Sequence, residues 1–133
     1  MTPLFADTFF FLALLNRADH GHERAVAYVQ GLSSDLMTTV WILTELADAL
    51  SDPTRRHEFI DLLGFLRSHP RVTIVPADQT LFETGVSLYA SRTDKEWSLT
   101  DCISFTVMTQ YGIPDALTGD RHFEQAGFRA LLR

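Results

Sequence analysis

Short apolar segments bounded by turn residues alternate with longer helical segments along the whole chain. The strand candidates are residues 3–7 (PLFAD), 35–39 (DLMTT), 72–77 (VTIVPA), 115–118 (DALT) and a last edge strand, GFRALLR, over 127–133. TFFFLALLNRAD and HERAVAYVQGL form a helical hairpin across Gly21, the second helix running through Leu32 with Ala25, Val26 and Val29 on its apolar side. VWILTELADAL ends before Pro53. TRRHEFIDLLGFLRSH repeats Phe59, Leu62, Leu63 and Leu66 at helical spacing. DQTLFETGVSLYASR turns Leu81, Phe82, Val86 and Tyr89 inward, SLTDCISFTVMTQYG closes at the C′ glycine Gly112, and RHFEQA is a short helix. Strands joined through helices pair parallel, and a parallel sheet is covered on both faces. The pattern therefore predicts an α/β fold with a central, mostly parallel sheet. No linker or composition shift divides residues 1–133, so one domain is expected.

In such a sheet the strand-to-helix turns gather at the carboxyl edge, and ligands bind where the strand order reverses. Acidic residues mark these turns. Asp7 ends the first strand, Asp120 closes the turn after DALT, Asp101 opens the long helix, and Glu45 lies inside the helix after the second strand, on one stripe with Trp41 and Asp48. Each has an ordinary alternative. Asp7 and Asp120 are good N-cap residues. Ser98-Leu99-Thr100-Asp101 matches a capping box. Glu45 fits an exposed helix position, although Ile42, Leu43, Leu46, Ala47 and Ala49 around it predict a buried helix, where a carboxylate needs a partner. Spacing alone does not decide between four separate roles and one pocket. If the four converge, they cannot all stay ionised without cations, so the cluster reads as a divalent-metal site.

The formal net charge is −6 and the basic residues are scattered, which argues against a broad basic surface gripping a duplex. A nucleic acid held at one small site through metal remains compatible, as does a basic partner protein. Cys102 is the single cysteine, so no internal disulfide forms, and a reducing compartment fits. The run TFFFLALL falls short of the roughly 20 residues that cross a bilayer, and no basic residue precedes it. A soluble, cytoplasmic protein without a membrane partner is expected. His20, His22, His57, His69 and His122 show no zinc-type spacing, and Cys102 reads as a buried structural thiol. Lys95 and Trp97, in the loop before Asp101, are candidates for substrate contact.

The segments FADTFFFLALLN, TTVWILTELADAL, DKEWSLTDCISFTVM and GIPDALTGDRHFEQAGF resemble, in order and over the whole chain, the motifs of the PIN-domain nucleases, especially the VapC-type toxins of bacterial toxin–antitoxin pairs. The resemblance implies a three-layer α/β/α domain and an endoribonuclease dependent on Mg²⁺ or Mn²⁺, leaving a 5′-phosphate and a 3′-hydroxyl. It maps the catalytic acids onto Asp7, Glu45, Asp101 and Asp120, with Asp7, Asp101 and Asp120 as metal ligands. Thr8 and Thr118 match its supporting hydroxyls. It also implies a homodimer, an RNA substrate and a cognate antitoxin that plugs the acidic pocket. Gly119 stands where relatives are often bulkier, implying a looser turn at Asp120. A catalytically inactive PIN-like interaction module is the alternative. A phosphoacceptor domain ranks below both, because no lysine follows Lys95.

Overall fold

The computed structural model describes residues 2–31 and 33–133. Five strands form one sheet in the order β3-β2-β1-β4-β5, every pairing parallel. They are β1 (Leu4–Ala6), β2 (Leu36–Thr39), β3 (Val72–Val75), β4 (Asp115–Leu117) and β5 (Arg129–Ala130). The helices are α1 (Thr8–Leu15), α2 (His22–Gln30), α3 (Val40–Ala49), α4 (Arg56–Ser68), α5 (Gln79–Ser91), α6 (Leu99–Tyr111) and α7 (Arg121–Gln125). No helix among the described residues is long and apolar enough to cross a membrane.

Successive strand residues point to opposite faces. Phe5 and Ala6 are both buried, as are all four residues of β2, so helices cover both faces of the central strands. Phe10 and Phe11 of α1, Ile42 and Leu46 of α3, and Ile103 and Met108 of α6 supply the largest fully buried side chains of those helices. The chain lays β2 and then β3 to one side of β1, and returns to place β4 on the other side. The strand order thus reverses between β1 and β4, and the crevice at their carboxyl ends is where an open sheet of this kind takes its ligand.

Local chemistry sets the element ends. Thr39 caps α3 by accepting the Ile42 N–H at 3.1 Å, and Asp78 caps α5 through the Leu81 N–H at 3.0 Å. Gly112 closes α6 in the left-handed region (φ 65°), as its position after the helix predicts. Helices α5 and α6 pack tightly at Gly85, where an added Cβ would stand 2.5 Å from Ile103 Cγ1.

Several expectations need correction. The first helix stops at Leu15 instead of Asp19, because Asn16 Oδ1 accepts the Ala18 N–H at 3.0 Å and Asp19 Oδ1 the Gly21 N–H at 2.7 Å. These side chains offer the backbone turns in place of helical bonds. In α2 the inward residues are Ala25 and Tyr28, while Val29 is exposed; α2 ends at Gln30, and Leu32 lies outside the described residues. In α5 the inward stripe runs through Leu81 and Gly85, leaving Tyr89 53% exposed. The last strand is only Arg129–Ala130, anchored by a two-point ion pair of Arg129 with Asp115 at 2.7 and 3.0 Å.

Candidate active site

Asp7 is the residue after β1 and the N-cap position of α1, yet its side chain makes no capping hydrogen bond to that helix. It is only 6% exposed. Its Oδ2 instead accepts the Thr118 hydroxyl at 2.8 Å, across the switch between β1 and β4. Thr118 is fully buried, and its Oγ1 in turn accepts the Asp120 N–H at 3.0 Å. One hydroxyl therefore ties the carboxylate after β1 to the backbone of the turn after β4. Thr38 pins the end of β1 from the other side, donating to the Ala6 carbonyl at 2.9 Å.

Glu45 projects from α3 and is half-buried, while Ile42, Leu43 and Leu46 beside it are buried. The Thr8 hydroxyl at the start of α1 donates to Glu45 Oε1, so α1 and α3 meet through this contact. Asp101 completes a capping box at the start of α6: Ser98 Oγ accepts the Asp101 N–H at 3.0 Å, and Asp101 Oδ2 accepts the Ser98 N–H at 3.2 Å. Asp120 caps α7 by accepting the His122 N–H at 2.9 Å. The ordinary capping roles of Asp101 and Asp120 are thus present, and they coexist with convergence. The Nδ1 atom of His122 lies 3.1 Å from Asp101 Oδ2 and 3.4 Å from Asp120 Oδ1. Ligand atoms of Asp101, Asp120 and His122 all lie within 4.8 Å of one another.

Burial, above all, pushes the Asp7 carboxyl up from 3.8 to about 7; the bonds from Thr118 and the Thr8 backbone oppose the rise, and the charges of Asp101 and Glu45 add to it. Asp101 is also pushed up, first by burial and further by Asp120, against the Ser98 backbone bond and His122. Among the described residues, no lysine or arginine forms an ion pair with Asp7, Glu45, Asp101 or Asp120. Oxygen donors crowded at a sheet edge, with no lysine or arginine paired to them among the described residues and the His122 ring beside two of them, fit a divalent cation.

His122, whose spacing fits no zinc motif, stands beside two of the expected acids. The available signal was the pair Asp120-x-His122 at a helix start, with Asp120 as the cap. Trp97, by contrast, is core: it is 6% exposed, packs edge-on against Phe105 at 5.0 Å and donates its indole N–H to Gln125 at 3.0 Å. Lys95 stands 3.9 Å from Asp94, outside the acidic group. Gly119 has no positive φ, and the ring of Phe9 fills the space a side chain would take, 2.4 Å from an added Cβ. The glycine accommodates a neighbour where a loosened turn was expected.

A model of the PIN domain family matches residues 4–129. Curated proteins give no match. Among solved structures, the Mycobacterium tuberculosis toxin VapC20, described as cleaving the sarcin–ricin loop, is 26% identical, with 98% of this chain and 99% of that chain covered and a TM-score of 0.88. FitAcB from Neisseria gonorrhoeae is 20% identical, with 98% and 96% covered and a TM-score of 0.67, a likeness of fold.

Proposed function

This chain belongs to the PIN-domain family, and from that membership we propose that it is a metal-dependent endoribonuclease, the toxin of a type II toxin–antitoxin pair. The observation that supports the reading is the closeness of Asp101 and Asp120, with the buried Asp7 carboxyl feeling the charges of Asp101 and Glu45, and no lysine or arginine ion-paired to any of the four among the described residues. The similarity to VapC20, an RNA-loop-cleaving toxin, extends over nearly the full length of both chains.

In this reading Asp7, Asp101 and Asp120 hold Mg²⁺ or Mn²⁺. The ion they would hold would supply Lewis-acid polarisation of a phosphodiester and activation of a water. Glu45, held by the Thr8 hydroxyl, accepts a proton from the attacking water. Thr118 fixes the Asp7 carboxylate against the Asp120 turn, so the two acids keep their spacing. Burial of Asp7 keeps bulk water away from the charge that organises the site. The products are a 5′-phosphate and a 3′-hydroxyl. The same reading carries a homodimer, an RNA substrate in the cytoplasm, and a cognate antitoxin whose basic side chain enters the acidic pocket.

The test is cleavage of RNA by the purified protein with Mn²⁺ or Mg²⁺, before and after chelation, beside the Asp7→Asn variant. We expect cleavage that stops on chelation and is absent in folded Asp7→Asn. Undiminished cleavage in either case overturns the reading.

A further inference from the structure

We propose that His122 supplies a nitrogen donor to the divalent ion at Asp101 and Asp120, so that this part of the pocket prefers first-row transition ions such as Mn²⁺ or Co²⁺ to Mg²⁺. The inference rests on the nuclease reading, because it concerns the same ion, and it adds a residue and a metal preference to it.

The backbone places the ring. His122 is the second residue of α7, and its N–H is spent on the Asp120 cap at 2.9 Å. The side chain turns back over the start of that helix until Nδ1 stands between two carboxylate oxygens, 3.1 Å from Asp101 and 3.4 Å from Asp120. A single N–H proton can bond only one of these oxygens at full strength. An ion among the three atoms engages all of them. Adjacent ligands at right angles, each about 2.1 Å from a metal, stand about 3.0 Å apart, close to the two spacings seen here. Nε2, on the other side of the ring, then carries the proton of the neutral imidazole.

The donor set determines the preference. Mg²⁺ takes oxygen ligands and sheds its waters reluctantly. Imidazole nitrogen adds affinity for transition ions, in the order that rises from Mn²⁺ to Co²⁺ and beyond. A pocket of carboxylates alone would show less of this discrimination.

Pulsed electron paramagnetic resonance on Mn²⁺ bound to the full chain is the direct test, comparing natural-abundance protein with protein carrying ¹⁵N-histidine. We expect a histidine nitrogen coupling that changes with the label and vanishes in His122→Gln. By calorimetry, His122→Gln should lose roughly tenfold or more in Mn²⁺ affinity while its Mg²⁺ affinity changes by less than about threefold. Mn²⁺ bound without nitrogen coupling, in protein that still cleaves RNA, overturns this proposal and leaves the nuclease reading intact. Equal losses for both ions overturn it too, because His122 would then only orient the carboxylates. No Mn²⁺ binding overturns this proposal, and no binding of either Mn²⁺ or Mg²⁺ overturns both readings. The coupling measurement on the unsubstituted chain decides even if His122→Gln fails to fold.

Discussion

The hydroxyl of Thr118 donates to the Asp7 carboxylate at 2.8 Å across 111 positions of sequence, and accepts the N–H of Asp120 on its other side. Val at position 118 keeps the shape and removes both bonds. It leaves a buried carboxylate and a backbone N–H without their partner, so Thr118→Val should cost about 1–3 kcal/mol in urea unfolding. It should also lift the Asp7 pKa further, because the Thr118 bond is what most opposes the rise. Metal affinity, read by calorimetry, should fall with it. A variant as stable as the parent would show that the bond carries no weight.

Asp7 makes the metal-free protein sensitive to pH in a defined direction. Its folded pKa of about 7 lies above the ordinary 3.8, so the folded state takes up the proton more strongly than the unfolded state. The stability this confers is complete below the ordinary value and is lost as pH rises through about 7. Asn at position 7 can accept from Thr118 and carries no charge. In chelator, Asp7→Asn should therefore gain on the parent as pH climbs from about 4 to about 7, by about 1–3 kcal/mol, and hold that gain above. Parallel stability curves for the two proteins would refute the buried, uncompensated charge.

The features legible in the sequence were local ones. Strand-to-helix alternation, the capping box at Ser98 and Asp101, and the glycine after α6 each depend on a few consecutive residues. The convergence of Asp7 with Asp120 followed from parallel topology once the turns were located. What escaped depended on packing between distant elements. Trp97 lies in a polar stretch, but Phe105 and Gln125 bury it. Tyr89 fits the apolar spacing of α5, yet Gly85 draws Ile103 of α6 onto another stripe and leaves Tyr89 outside. His122 meets Asp101 over 21 residues through the fold of α7, and the Asp120-x-His122 spacing points to the first acid but not to the second.

Asp101 has two duties that substitutions can separate. Ser98→Ala removes the hydroxyl that accepts the Asp101 N–H at 3.0 Å and should cost about 1 kcal/mol of stability, as loss of an N-cap does. The carboxylate stays in place, so RNA cleavage at a temperature where the variant is folded should stay within a few-fold. Asp101→Asn retains an acceptor for the Ser98 N–H at 3.2 Å but loses the charge. It should unfold near the parent and cleave nothing detectable. The assignment fails if Ser98→Ala is the inactive one and Asp101→Asn the active one.

Two glycines should respond oppositely to the same added methyl. In a helix interior, alanine normally gains about 0.5–1 kcal/mol over glycine. At Gly85 the new Cβ would stand 2.5 Å from Ile103 Cγ1 and 3.3 Å from Ile103 Cα, so α5 and α6 must move apart along their contact. Overpacking of that kind costs about 1–3 kcal/mol and outweighs the helix gain. At Gly119 the three atoms nearest the new Cβ are outer atoms of the Phe9 ring, at 2.4, 2.7 and 3.0 Å. That ring is 38% exposed and can swing outward, so Gly119→Ala should change stability by less than about 1 kcal/mol. Urea unfolding of both variants decides the matter. If Gly85→Ala proves neutral or stabilising, the α5–α6 contact is looser than its geometry indicates.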